Sequence, residues 1–349
     1  MAYADTSGTQ ADYDRYYTNF AAYETPDGTG SGVKEDDARR LEESVNWLAA
    51  RIGAKDARII DIGCAQGGLL KALARRGFSS LSGIDPSACC VEQIKTLGFS
   101  AWQGHFDNLP SESEKYDFII STQVLEHVLD THGAFCALRK LLAPGGKIYV
   151  EVPNAARYHN GKDTLPFQEI NQEHINHFDI THMEILCASH GFTVTDVYKN
   201  QYNVLGVLLT CGGGTSSSCC QKDKTRLKQI LSTYILESQQ RMYEFSEKIR
   251  GKSVALWGAG ARTQWLLAAP VWNETKIEAI VDRDPRKQGK RLAGCVIQSP
   301  EAGLRHLPDD TLIVITPLLY AEEIKNDLAG LKTGYPSFVW IDEVRIGKP

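Results

Sequence analysis

The chain has 349 residues, 42% of them hydrophobic, with a formal net charge of −5 and a sequence pI near 6.0. That length favours two domains with sizeable cores, and the acidic balance, without a dense Lys/Arg run, excludes an electrostatic footprint for nucleic acid. No apolar run approaches the roughly 20 residues that cross a bilayer, and no charged segment followed by an apolar one opens the chain, so no membrane association and a cytoplasmic location are expected.

Nine cysteines, an odd number with no CxxC pair, fit free thiols in a reducing compartment rather than a disulfide framework or a structural zinc site. Residues 1–34, including "YDRYYTNFAAYETPDGTGSG", show no sustained period and read as a tail with one short helix. From "EDDARRLEESVNWLAARI" a helical spacing of apolar residues takes over. Strands and helices then alternate through "ARIIDIG", "GLLKALARRG", "LSGIDP", "CCVEQIKTLG", "YDFIIST", "CALRKLLAPGG" and "KIYVEVP". This rhythm, with strands apolar on both faces, predicts an α/β fold whose parallel sheet is covered by helices. The Gly/Ser cluster "CGGGTSSSCCQ" has linker composition, the stretch after it spaces apolar residues as one long helix, and the alternation restarts at "KSVALWGAG". The parse is a tail over 1–34, a first α/β domain over 35–210, linker and helix over 211–250, and a second, smaller α/β domain over 251–349.

In "RIIDIGCAQGGLLKAL" Asp61 lies near a strand end, with Gly63, Gly67 and Gly68 in the turn before a helix. Glycines there allow positive φ and close approach of a ligand to backbone, although tight strand-to-helix packing has the same signature. The spacing is not the dinucleotide G-x-G-x-x-G pattern. Asp85, followed by Pro86, ends the second strand, where a carboxylate can accept two ribose hydroxyls. Phe106 and Asp107 in "GHFDNLP" pair an apolar ring with an acceptor, suited to an adenine. "YDFIISTQVLEHV" ends a fourth strand at Gln123 and opens a helix bearing Glu126 and His127.

These stretches, in this order over roughly residues 40–195, resemble the class I S-adenosylmethionine-dependent methyltransferases, with a Rossmann-like sheet. The resemblance implies S-adenosylmethionine as cofactor. It places Asp61, Gly63, Gln66 and Gly67 at the methionine and ribose, Asp85 at the ribose hydroxyls, Phe106 and Asp107 at the adenine, and Gln123 beneath the sulfonium. Cys64 reads as a small filler of the turn. Glu126 and His127 either orient the helix after the fourth strand or touch substrate.

Methyl transfer from a sulfonium needs a positioned acceptor and a base. "FQEINQEHINHF", residues 167–178, falls on a loop at the ligand side of such a sheet. His174 is the expected general base, with Glu173 raising its pKa and fixing its tautomer. A second reading has His174 and His177 bonded to loop carbonyls while Phe167 and Phe178 anchor the loop. A metal at His174 and His177 ranks below both, because no cysteine or second acid stands at metal spacing.

The "EHINHF" segment together with the C-terminal module resembles the sugar C-methyltransferases and related saccharide methyltransferases, which implies a sugar acceptor, nucleotide-linked or within a glycan. Two departures stand out. The zinc module that usually precedes the methyltransferase domain is not seen here, and Asn171 replaces a tyrosine two positions before the Glu-His pair. These departures favour O-methylation over C-methylation. The tyrosine-rich segment around Tyr17 and Tyr23 suits a lid touching substrate, or a tail packed on the helix after it.

"VALWGAGARTQWLL" gives G-x-G-x-x-T through Gly258, Gly260 and Thr263, and "IEAIVDRDP" ends a strand at Asp282. Lacking the third glycine, it is not expected to bind a redox cofactor. Arg262 or Arg283 would meet a diphosphate if this module helps bind a sugar nucleotide. Otherwise it is a scaffold for the long helix or for a homodimer contact. Methylation of a non-sugar natural product, and a non-catalytic assembly protein built on a methyltransferase fold, are the two rival readings.

Overall fold

The structure, a computed structural model, describes residues 2–4, 8–13, 15, 30–106, 109, 115–158, 165–171, 173–212, 224–317, 321–331 and 337–339. It divides into two compact units. The first comprises Met1–Arg157 and Glu169–Gln229, the second Tyr158–Gln168 and Ile230–Pro349.

The first unit opens with a short strand β1 (Ala2–Tyr3), where the sequence suggests only a tail, and helix α1 (Glu35–Ile52). Then follow β2 (Arg58–Ile62), α2 (Gly68–Arg75), β3 (Ser80–Asp85), α3 (Ala88–Thr96), β4 (Ser100–Gln103) and β5 (Tyr116–Thr122). After α4 (Thr131–Leu141) come β6 (Leu142–Pro153), β7 (Asn176–His177), α5 (Ile180–Ser189), β8 (Phe192–Tyr198) and β9 (Val204–Cys211).

Seven strands form one sheet in the order β4-β3-β2-β5-β6-β9-β8. Pairs from β4 to β6 are parallel, and β9 runs antiparallel to both β6 and β8. The sheet is therefore mixed only at one edge. Its central strands bury Ile60, Ile119, Ile120, Ile148 and Val150 against helices on both faces, which is why these strands read as continuous apolar runs. Because parallel strands share one direction, the carboxyl ends of β2, β3, β5 and β6 open on one edge, where ligands of such sheets bind.

The helix expected to bear Glu126 and His127 is a single 3-10 turn, Leu125–His127. Gln123 has φ 56, which breaks the path from β5 into a helix. The true helix, α4, starts only where the Asp130 side chain accepts from Gly133 N at 2.9 Å.

The second unit contains α6 (Lys224–Ile249, its first residues falling in the first unit), β10 (Ser253–Trp257), α7 (Ala261–Ala268), β11 (Lys276–Val281), β12 (Arg291–Leu292), β13 (Cys295–Gln298), α8 (Pro300–Gly303), β14 (Leu312–Ile315), α9 (Ala321–Gly330) and β15 (Ser337–Val339). Its six-stranded sheet has the order β12-β13-β11-β10-β14-β15. Tyr158–Gln168, which precedes the histidine loop in the chain, belongs here. Tyr234 donates its hydroxyl to Leu165 O at 2.9 Å, and Phe167 N donates to Ser238 Oγ at 3.1 Å. No linear pattern announces this threading, since these residues are far apart in sequence. The Gly/Ser stretch at 213–223 lies outside the described residues.

One glycine ties the sheet to the ligand edge. Tyr149 is fully buried on β6 and donates its hydroxyl to Glu151 Oε2 at 2.8 Å. A Cβ on Gly206 of β9 would lie 2.3 Å from that hydroxyl oxygen. Gly206→Ala is therefore expected to overpack the β6–β9 contact at a cost of about 1–3 kcal/mol, read as a lower denaturation midpoint; an unchanged midpoint would show that the tyrosine can move aside.

Candidate active site

At the carboxyl edge of the first unit's sheet lies a cavity of about 260 Å³. The turns after β2, β3 and β5 build its walls: Asp61, Gly63, Cys64, Ala65, Asp85, Pro86, Phe106, Gln123, Val124 and His127 all line it. Ala65 and Gln123, two of the five non-glycine residues with positive φ among the described residues, are both in this wall. Non-glycine residues held there cost free energy that the surrounding packing must offset, and such strain collects at functional sites. Gly63, at φ 80, has no alternative, since a Cβ there would stand 2.3 Å from Val124 Cγ2.

The carboxylates differ in how they are satisfied. Asp85 accepts from Ala65 N at 2.8 Å through one oxygen and from Ser87 N at 2.9 Å through the other. Asp61, 2% exposed, leaves Oδ1 buried without a hydrogen-bond partner. Burial, with the Asp85 charge adding to it, pushes Asp61 up to about 7. An orphaned carboxylate oxygen at a cavity wall fits a cationic ligand, and the cofactor implied by the sequence is a sulfonium with an ammonium group. The acids and the apolar Phe106 thus suit S-adenosylmethionine on this chain's own geometry.

The wall also contains residues that no sequence motif marks. Arg40 lines the cavity and reaches Glu151 Oε1 at 3.4 Å and Asp37 Oδ1 at 3.6 Å. Asp37 also accepts from Gly30 N and Gly32 N, which folds the segment before α1 so that Gly30 joins the wall. Glu151 accepts from Gln123 Nε2 at 3.4 Å. An acid inside the apolar run "KIYVEVP" is the one signal that could have flagged Glu151.

Some expected cavity residues stand elsewhere. Gln66 is buried with Nε2 on Cys90 Sγ at 3.6 Å, and Gly67 is the left-handed N-cap of α2, so neither lines the cavity. Cys64 is a buried wall residue. Asp107, Tyr17 and Tyr23 lie outside the described residues. In the second unit Arg262 is exposed on α7, and Arg283 pairs with Glu323 and Asp327.

The histidine loop is laced to the 3-10 turn. His127 Nδ1–H donates to Glu173 O at 2.8 Å, Ile175 N donates to Glu126 O at 2.8 Å, and Asn176 Nδ2 donates to Val128 O at 2.7 Å. From the other side β1 pairs with β7. Asn171 accepts from Glu173 N and His174 N through Oδ1, a side-chain-capped turn that presents His174.

Glu173 is not the partner that orients His174. The His174 Nδ1–H donates to Glu169 O at 3.2 Å, and Glu169 Oε2 stands 3.7 Å away. Nor is the His174 pKa raised: burial and the neighbouring His127 lower it to about 4, and burial lowers His127 and His177 to about 4 as well. All three rings are neutral at pH 7, with Nε2 of His127 and His174 carrying lone pairs. Their rings meet edge-on, centroids 5.1 Å apart. His127 and Glu173 line the cavity, and His174 does not line it itself but meets the ring of His127. Glu126, 1% exposed, completes the group with both carboxyl oxygens unpartnered.

Comparison with known proteins follows the same division. The family described as "Methyltransferase domain" matches residues 33–197, and "C-methyltransferase C-terminal domain" matches residues 231–340. The chain is 26% identical over 335 residues to "C-methyltransferase NovU" of Streptomyces niveus, covering 88% of this chain and 78% of that protein. It is 30% identical over 118 residues to a ubiquinone biosynthesis O-methyltransferase of Pseudomonas savastanoi pv. phaseolicola, of which it spans half the length. A structure of magnesium protoporphyrin IX methyltransferase from Synechocystis with bound S-adenosylmethionine aligns at TM-score 0.44 and 14% identity, over 59% of this chain and all of that one.

The Asp61 shift has a measurable sign. A carboxyl that moves from 3.8 unfolded to about 7 folded costs stability increasingly as pH rises between those values, and the full cost is present above 7. Asp61→Asn is expected to raise the melting temperature at pH 8 and to raise it less at pH 5, as thermal melts at the two values would read. An equal gain at both would show that the carboxylate is compensated.

Proposed function

The chain belongs to the class I S-adenosylmethionine-dependent methyltransferases, of the C-methyltransferase type, and from that premise we propose that it methylates a carbon of a sugar acceptor, with His174 as the base. The observation that carries the base assignment is the buried, neutral His127–His174 pair beside the cavity that fits the cofactor.

The preference for O-methylation drawn from the sequence is given up. It rested on two departures from the subgroup's pattern, one of them Asn171 in place of a tyrosine, and the Asn171 side chain builds the turn that presents His174. Similarity over most of the chain to a C-methyltransferase, and to a C-methyltransferase C-terminal domain, supports carbon.

When bound, the cofactor supplies a methyl group already activated by its sulfonium. Asp61 offers its unpartnered oxygen to the cationic end, Asp85 its remaining lone pairs to the ribose hydroxyls, and Phe106 an apolar face to the adenine. Gly63 keeps Val124 against the wall, and Gln123 is held by Glu151. An acceptor carbon next to a carbonyl is acidic enough to lose its proton to His174 Nε2. His174 would hold that proton at Nε2 while the bound cofactor would supply the methyl group to the carbon's electron pair and keep the electrons of its own carbon–sulfur bond. The Glu169 carbonyl fixes the tautomer by holding Nδ1–H, which keeps Nε2 as the accepting nitrogen.

A second reading has a specific observation behind it: His127, not His174, faces the cavity, and its Nδ1–H is likewise held, by Glu173 O. His174→Ala is expected to lower kcat by about 100-fold or more, the usual worth of a general base, while cofactor affinity measured by calorimetry stays unchanged. Loss of turnover in His127→Ala with retention in His174→Ala would instead assign the base to His127.

The depressed pKa gives an independent check. Base catalysis requires the neutral ring, so the acid limb of kcat/KM is expected near pH 4 rather than near 6.5. A limb at 6.5 would mean that an exposed group, not this buried pair, takes the proton. Acceptor identity is tested by incubating the protein with methyl-labelled cofactor and a panel of keto and hydroxy sugar nucleotides; label retained on carbon supports the proposal, and label on oxygen overturns it.

A further inference from the structure

We propose that Glu126, His127 and His174 form a site for a divalent transition-metal ion, filled in competition with the proton that His174 accepts. The proposal starts from an anomaly. A carboxylate with both oxygens buried and unpartnered is costly to ionise, yet Glu126 is one, adjacent in the chain to His127 of the cavity wall. Such a group is left for a cation or a proton.

The geometry favours the cation. One donor atom each from Glu126, His127 and His174 lie within 4.8 Å of one another. Glu126 Oε1 stands 3.7 Å from His127 Nε2, too long for a hydrogen bond. It is close to the roughly 3.4 Å that separates two donors each about 2.0–2.1 Å from one tetrahedral ion. Drawing in the widest pair by up to about 1.4 Å completes the trio, a displacement on the scale of side-chain rotation.

The outer contacts are those a metal site needs. A ligating imidazole holds its distal N–H on a carbonyl or carboxylate, which fixes the ring and its tautomer. His127 does this through Glu173 O at 2.8 Å, and His174 through Glu169 O at 3.2 Å with Glu169 Oε2 nearby. Two imidazoles and one carboxylate are a known zinc donor set that leaves a further coordination position open. His127 lines the cavity, which provides the entry path. The sequence conceals the site because the donors come from a 3-10 turn and a loop separated by more than forty residues.

The inference rests on the base assignment only for its competitive consequence: an ion on the His174 lone pair silences the base. Binding itself is read without turnover, so the two ideas fail separately. Titration of the metal-stripped full-length protein with zinc chloride by calorimetry is expected to show a site whose affinity falls more than about 100-fold in Glu126→Gln and in His174→Asn. The second readout is the visible spectrum of the native protein loaded with cobalt(II), expected to show a low-symmetry site with nitrogen and oxygen donors. A thiolate charge-transfer band would place the metal at a surface cluster such as Cys136 and His132, whose Sγ and Nε2 are 3.7 Å apart, and would overturn the proposal. So would zinc binding of unchanged affinity in the two folded variants, or no binding by the native protein. If neither variant folds, the cobalt spectrum alone decides.

Discussion

Uncompensated negative charge held out of water at one edge of a parallel sheet is the constraint on which the site depends. Asp61, Asp85, Glu126 and Glu151 are all at most 2% exposed, and all stand at or just beyond the carboxyl ends of β2, β3, β5 and β6. Each can be kept there only by backbone donors, a cationic neighbour, a proton or a ligand. Asp85 takes backbone amides and Glu151 takes Tyr149 and Arg40. Asp61 and Glu126 retain oxygens without a hydrogen-bond partner among the described residues. The first of these is matched to a sulfonium cofactor, and the second carries the metal site proposed above, so both readings start from the same electrostatic constraint.

Preorganisation comes from lacing rather than from regular structure. The histidine loop has only the two-residue strand β7, yet β1, the 3-10 turn and the Asn171 turn hold it from three directions. Loops carry catalytic groups well only when a rigid scaffold fixes them. Here the scaffold is the end of β5, where Gln123 is forced to positive φ and the chain is redirected so that Glu126 and His127 meet the loop.

The second unit repeats the local device of the first and then closes it. Gly258 N donates to Val281 O and Ala259 N to Asp282 Oδ2, both at 2.7 Å, as Gly63 N donates to Ile84 O and Ala65 N to Asp85 Oδ2. But Lys287 neutralises Asp282 at 2.9 Å, and Thr263, where the dinucleotide motif has its third glycine, turns its hydroxyl onto Gly258 O. Both Asp282 oxygens are thus partnered, unlike the orphaned Asp61 oxygen in the first unit.

The sequence by itself determined the elements and their order. Apolar runs such as "RIIDI" and "DFIIS" have to be buried on both faces, glycine at 63 is the only residue that its φ and Val124 allow, and an acid ending β3 is legible from strand length alone. It also pointed to the "EH" pair, of which Glu173 lines the cavity. What it left undetermined depends on partners distant in the chain. Glu169 rather than Glu173 holds His174 because a one-turn loop, capped by Asn171, points adjacent side chains in different directions. Arg40, which lines the cavity, meets Glu151 across more than a hundred residues, and Tyr158–Gln168 packs on α6 in the second unit. Periodicity encodes which face of an element is buried; which buried charges then meet is decided only when the sheet assembles.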